Sequence, residues 1–449
     1  MKKKTIIIIL IIVILLAVAG IIIYNNTQKK AVSGPLRVAS VWDAPVTAST
    51  LKGDTLNFND QSIREYVKLS RQGFEKGVAD GKGSLEIDEI LIGGGTDVQA
   101  YNRKVSDFFS SNEVLMTVGT SSDETTMYTS MEMNFFKIPM LIPFADGNLS
   151  PDNIGNEYSF RLTASSDKYA EFFDTLFMSN INDFLNTYVF GGRALPVVGN
   201  KVSVFFEDNF NGNEAAVKIT QNIIDNGYDV QSYMSFPMDS DLVTAVQAAW
   251  VSVPEDLKNV SAVVIIGEDQ ASADNLEIVW HAWEDQGLHP FFYMVGYEPM
   301  DLSQDILNAD NVFFIQPHVN IASCPAGITS RAEAVGYSAG QIMVRALQQA
   351  MKDQPAEPSG ISLWFQSEER QHESHQEYLS SFRSNIRAAL KDLDDDIPCY
   401  GKLNFNADPD EQVKLELVRY TGKNQFEPAD VGALSNAILQ KNRDYYGLE

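Results

Sequence analysis

Short apolar runs that stop abruptly at small or polar residues, each tied to a stretch of helical spacing, constrain this chain most. Val118 is followed by Gly119-Thr120-Ser121-Ser122, the run Ile138 to Phe144 by Ala145-Asp146, and Tyr158-Ser159-Phe160 by Arg161-Leu162-Thr163. Strands alternating with helices of this length make βαβ units and a parallel sheet. In an open α/β sheet, ligands are held outside the carboxyl ends of the strands. The first two ends, separated by a helix read over about 123–136, set hydroxyls, backbone N–H groups and a carboxylate around one cleft. They point to a small-molecule site and to no particular reaction.

The alternation extends along the chain. A strand over 36–41 precedes a helix over 63–81, where Ile63, Tyr66, Leu69, Phe74 and Val78 share a stripe. A strand over 85–92 leads through Gly93-Gly94-Gly95 into a helix holding Tyr101, Val105 and Phe109, and a strand over 113–118 follows. After Arg161 the pattern restarts, with strands over 201–206, 228–236, 260–266 and about 289–296 and helices over 212–226, 240–251 and 275–285. The run over 260–266 is almost wholly apolar, as in a strand buried on both faces. The segments over 135–143 and 288–295 each read helix end, Pro, apolar strand, at matching places in two similar lobes. Helices over 332–351 and 378–393 come next, then 401–405 and 413–418, which alternate in the β manner and read as strands joined by an acidic turn.

A chain of 449 residues is too long for one ordinary core and suits two lobes plus an extra segment. A net charge of −26 disfavours nucleic acid, which needs clustered Lys and Arg. Lys2, Lys3 and Lys4 precede an uncharged apolar run from Ile6 to Ile23. Such a run spans about 27 Å as a helix, near the hydrocarbon thickness of a bilayer. Lysines stay in the cytoplasm, so 1–26 reads as a signal anchor or transmembrane helix, 27–35 as a tether, and the rest as extracytoplasmic. Cleavage after Ala17-Val18-Ala19 would instead secrete the protein, but it leaves Gly20-Ile21-Ile22-Ile23 as an apolar terminus, so the uncleaved anchor is preferred.

The two cysteines, Cys324 and Cys399, leave two readings: a disulfide, which export permits, or two half-buried thiols. His372 and His375, with Glu369 and Glu373, lack a further oriented metal ligand and read as a solvated helix face. Gly93-Gly94-Gly95 has neither the lysine nor the spacing of a phosphate loop, and there is no nucleophile elbow. Binding is expected rather than catalysis, with no cofactor and no metal.

Together the strand end at 119–122, the segment 138–146, Phe160-Arg161-Leu162-Thr163, and the pieces over 201–212, 260–267, 287–298 and 401–405 resemble the type I periplasmic-binding-protein family. Within it they are most similar to branched-chain amino-acid and amide receptors of ABC transporters, over 36–421. The resemblance implies two Rossmann-like lobes with parallel sheets, joined by a three-segment hinge that closes on a ligand in the cleft between them. Lobe 1 would be 36–162 with 319–400, lobe 2 would be 163–318 with 401–427, and 428–449 a tail. It implies that Ser121 or Ser122, beside Thr120, holds a solute carboxylate at a helix N-terminus, with Ala145 next to it. Asp146 departs from the family, which has a hydroxyl there, and suits an ammonium or amide donor. Phe210 matches the family's aromatic, Glu298 its carboxylate for the solute amine, and Asp269, Tyr297 and Trp42 stand at strand ends facing the same cleft. The implied partners are a small-molecule solute, an ABC permease and, through the N-terminal helix, the membrane. A ligand-sensing ectodomain is the alternative, and an exported hydrolase a weaker one.

Overall fold

A computed structural model describes residues 35–50, 52–60, 63, 65–94, 98–120, 123–143, 157–173, 201–208, 210–226, 228–236, 257–258, 260–267, 270–295, 302–354, 368–405, 414–422 and 425–429. The anchor over 1–26, the helix read over 240–251 and the tail beyond 429 lie outside the described residues. Among the described residues, no helix is long and apolar enough to cross a membrane.

The first sheet begins with β1 (Leu36–Trp42), followed by the hairpin β2 (Val46–Thr50) and β3 (Gly53–Leu56). Then come α1 (Glu65–Gly81), β4 (Ile87–Gly93), α2 (Val98–Ser111), β5 (Met116–Val118), α3 (Asp123–Phe136), β6 (Met140–Ile142) and β7 (Ser159–Arg161). The order β4-β1-β5-β6-β7 is parallel throughout. Alternate residues of a strand face opposite sides, and both sides of β1 are covered. Leu36, Val38 and Trp42 join Phe74 of α1 in one core, whereas Ala39 and Val41 join Tyr101 and Val105 of α2 and Met133 of α3. A strand covered on both faces shows little polar side, and β1 is interrupted only by the exposed Arg37 and the buried Ser40.

The second sheet repeats this plan with β8 (Lys201–Glu207), α4 (Phe210–Asp225), β9 (Asp229–Phe236), β10 (Ala262–Ile266), α5 (Gln270–Glu284), β11 (Phe291–Val295), the short α6 (Gln304–Asn308) and β12 (Val312–Pro317). In β10, Ala262, Val264 and Ile266 face Ala216 and Ile219 of α4, while Val263 and Ile265 face Leu276 and Trp283 of α5. The two matching crossovers hold up in detail: Lys137 (φ 55°) ends the turn after α3 and Gly287 (φ 69°) the turn after α5.

The chain then returns to the first sheet. Helix α7 (Arg331–Asp353) starts at Ser330, whose Oγ accepts from Glu333 N (3.2 Å) while Glu333 Oε2 accepts from Ser330 N (3.0 Å). It packs with α8 (Glu368–Lys391) in the core of β1. Two acidic-to-polar strands, β13 (Asp394–Ile397) and β14 (Gly401–Asn404), pair antiparallel. Finally β15 (Leu415–Gly422) and β16 (Gln425–Pro428) add to the second sheet beyond β12, giving the order β16-β15-β12-β11-β10-β8-β9.

The pairing expected between 401–405 and 413–418 is therefore not formed. Gly401–Asn404 pairs with Asp394–Ile397, and Leu415–Gly422 pairs with β12. Leu403 and Phe405 are buried in the first sheet's core, so 401–405 packs there. Alternation marks a strand, but the partner is chosen by the core available to its apolar face. Cys324 and Cys399 form a disulfide, with Cα atoms 4.5 Å apart.

Candidate functional site

Each sheet winds outward from a point where the strand order reverses. In the first sheet the chain runs from β1 to β4 on one side, then to β5 on the other; in the second it runs from β8 to β9, then to β10. The crevice at such a reversal, outside the carboxyl ends of the two strands, is where an open α/β sheet binds ligands. The relevant ends are Trp42 and Val118 in one sheet and Glu207 and Ile266 in the other. Trp42 is itself one of these ends, Thr120, Phe210 and Asp269 follow the other three in sequence, and Ala145, Asp146, Tyr297 and Glu298 follow β6 and β11.

Gly119 shows how closely the first crevice is built. Its φ is 117°, and a Cβ there would lie 2.3 Å from the Val41 carbonyl oxygen, so only glycine lets the end of β5 meet β1. Thr120 behind it is fully buried: it accepts a hydrogen bond from Thr125 Oγ1 (2.9 Å) and shares another with Thr126 Oγ1. Its hydroxyl is thus engaged with the first turn of α3.

Trp42 is also fully buried. Its ring meets Phe58 and Phe74 edge-on, at 6.3 and 5.9 Å, and the Arg71 guanidinium lies 5.4 Å from its centroid. The indole of this strand-end residue is enclosed by the core. Its Nε1 donates to Ser40 Oγ (3.1 Å), which donates to Glu89 Oε1 (2.5 Å). Glu89 also takes both terminal nitrogens of Arg71, Nη2 at 2.8 Å, and Arg71 Nε donates to Glu75 (2.8 Å). Burial opposes the charge on Arg71, but hydrogen bonds and attraction from Glu89 and Glu75 outweigh it and hold the guanidinium charged. Sequence reasoning missed this network, since Arg71 looks like a solvated break in the α1 stripe.

Asp43 follows Trp42 and packs over Gly94, where a Cβ would come within 2.0 Å of its Oδ1. Asp54, on the unanticipated hairpin, accepts from Gly93 N (2.8 Å) and pairs with Lys104. Nearby Tyr101, whose OH is 2.7 Å from Thr129 Oγ1, has its ionisation pushed well up, first by burial and further by the charges of Asp43 and Asp54. Asp54 is thus neutralised by Lys104 beside the end of β4. In the second sheet, Glu207 closes β8 fully buried. The reading of 201–206 stopped one residue short of it; a carboxylate ending an apolar run was the available signal.

Ser121, Ser122, Ala145, Asp146, Asp269, Tyr297 and Glu298 lie outside the described residues. Phe210 opens α4. Among the described residues, no group of three or more His, Cys, Asp or Glu could hold a metal. His375 Nε2 instead lies 2.8 Å from Glu113 Oε1, tying α8 to the segment before β5.

Neither a protein-family description nor a curated protein matches the chain. Solved structures do. A leucine-binding protein from Thermotoga maritima is 12% identical with a TM-score of 0.57, over 88% of this chain and 98% of that one. An extracellular ligand-binding receptor from Rhodopseudomonas palustris HaA2 is 14% identical (TM-score 0.58; 88% and 100%). A solute-binding protein of an ABC transporter from R. palustris, in complex with benzoate, is 11% identical (TM-score 0.58; 88% and 95%). This chain has their fold, in which two α/β sheets are linked by chain crossings.

Proposed function

We propose that the protein is an extracytoplasmic solute-binding receptor. It captures an amino acid or amide-like molecule by lobe closure and delivers it to an ABC permease. The observation that carries this reading is the pair of strand-order reversals, one in each sheet, within a fold shared with leucine- and benzoate-binding transport proteins. Binding at such crevices needs hydroxyls, N–H groups and a few charges placed on rigid strand ends, and no reaction.

In this reading Ser121, Ser122 and Ala145 hold one end of the solute and Glu298 the other, with Asp146, Phe210, Asp269 and Tyr297 lining the cleft. Trp42 and Thr120 act from behind, by packing the strand ends. The lobes divide at Thr163, since Leu162 belongs to the first core and Ala164 to the second. Lys2 to Ile23 anchors the receptor to the membrane, its body on the outer face.

A calorimetric screen of amino acids, amides, small polyamines and benzoate on residues 31–449 tests the assignment. Micromolar binding by one class, lost in Glu298→Gln, is the expected outcome. A folded protein that binds none of them overturns it.

A further inference from the structure

A strand at the edge of a sheet carries unpaired backbone groups, and folded proteins guard such edges against chance pairing. Among the described residues the edges are β4 and β7 in the first sheet, β16 and β9 in the second. The first three are guarded. The hairpin of β2 and β3 lies along β4: Asp54 accepts from Gly93 N (2.8 Å), and a Cβ at Gly53 would stand 3.1 Å from the Leu91 carbonyl oxygen. Asp88 and Glu89 add charge to the same strand. β7 is only 3 residues long. β16 holds Glu427 and ends at Pro428, which has no N–H to offer.

β9 is different. It runs for 8 residues, and its one charge is Asp229, at the start. A bulge at Gln231 leaves Ser232 to Phe236 in regular register with β8. The Phe236 carbonyl accepts from Asp208 N (2.8 Å), so Phe236 turns its backbone groups inward. Backbone direction alternates along a strand, so Tyr233 and Ser235 point their N–H and C=O groups outward. Tyr233 and Met234 are each 43% exposed, with the Tyr233 ring against that of Phe206 (4.6 Å).

We propose that β9 pairs antiparallel with β9 of a second copy, about a two-fold axis at Met234, joining two sheets into one. Tyr233 of each copy then faces Ser235 of the other, and each such pair exchanges both of its backbone hydrogen bonds. Met234 faces Met234. Charge selects the occupant. At a net charge of −26 most approaches of one copy to another are repulsive, but Ser232 to Phe236 sets no charge against another. Charges farther than about 8 Å away are screened at physiological salt. An uncharged edge gives an acidic or basic partner nothing to grip, whereas a two-fold contact needs only a stretch complementary to itself.

The test is the association state of the full chain in detergent at physiological salt, by sedimentation equilibrium without solute. A reversible dimer with a Kd on the order of 10 μM is expected, as for a small interface. Met234→Lys sets two like charges across the axis and is expected to weaken it at least tenfold. Facing residues that share no hydrogen bond lie about 4.5 Å apart at Cα, within reach of a disulfide. Met234→Cys, oxidised with copper phenanthroline, is therefore expected to cross-link two chains, and Val217→Cys, exposed on α4, is not. A chain that stays monomeric overturns the proposal and leaves the edge to a strand of another protein. A dimer that Met234→Lys leaves intact overturns it as well, as does equal cross-linking at both cysteines. If Met234→Lys fails to fold, the cysteine pair decides. No solute enters either measurement, so the outcome is independent of the receptor reading.

Discussion

Over the first sheet α1 and α7 meet backbone on backbone, whereas α5 over the second packs by large rings. Between α1 and α7, a Cβ at Gly336 would lie 2.0 Å from the Ser70 carbonyl oxygen, and one at Gly73 2.0 Å from that of Glu333. In the second lobe Trp283 of α5 is fully buried edge-on to Phe205 (6.5 Å) and Phe292 (6.2 Å). One lobe has no room for an added atom, and the other depends on large rings filling space. The first lobe should therefore be sensitive to gained volume and the second to lost volume, and the chain can be broken at either by opposite changes.

Calorimetry that resolves the unfolding of the two lobes is the measurement that sharpens this contrast. Trp283→Ala should cost about 4 kcal/mol, as expected for truncating a buried aromatic, and should lower only the second lobe's transition. Gly336→Ala should cost about 3 kcal/mol through overpacking against backbone that cannot yield, and should lower the first lobe's. Equal loss in both lobes from either variant would erase the distinction. Arg71→Met should cost about 2 kcal/mol in the first lobe, since it strips Glu89 of its charged donors beneath Trp42. Tryptophan fluorescence should redshift as Trp42 loosens. Ser330→Ala removes the α7 cap and should cost about 1 kcal/mol. Lys76→Ala cuts an exposed pair with Asp80 and should cost about 0.3 kcal/mol, near the limit of detection.

The parallel framework was legible because strands buried on both faces can only be apolar throughout, as at Ala262–Ile266, and because helix stops such as Gly287 mark the turns. Helix α3 has the bounds read for it, Asp123–Phe136. Three things were not legible. The hairpin over 46–56 has an exposed first strand with no apolar alternation to betray it. The strand Asp394–Ile397 is acidic and mostly exposed, so it looked like a loop. Its partner Gly401–Asn404 was recognised as a strand but matched to the wrong neighbour, since local pattern carries no information about distant pairing.

The same division runs through the site. Strand ends were readable as places where an apolar run stops, as at Val118 and Ile266. Whether a side chain there faces solute or core was not, because the answer comes from residues far away. Trp42 is enclosed by Phe58, Arg71 and Phe74, and Asp54 reaches Gly93 and Lys104 from a hairpin with no reason of its own to be there.

By itself the sequence determined the class of fold and the order of most of its strands and helices among the described residues. Each of those rests on periodicity, burial and spacing within a few residues. Only the tertiary structure decided which strand pairs with which, that α1 and α7 meet through glycine, and that the turn between β13 and β14 is tied to Cys324 and Leu162 through Cys399 and Tyr400. Those contacts join residues as far apart in the chain as Ser70 and Gly336, and their free energy exists only once both sides have been brought together.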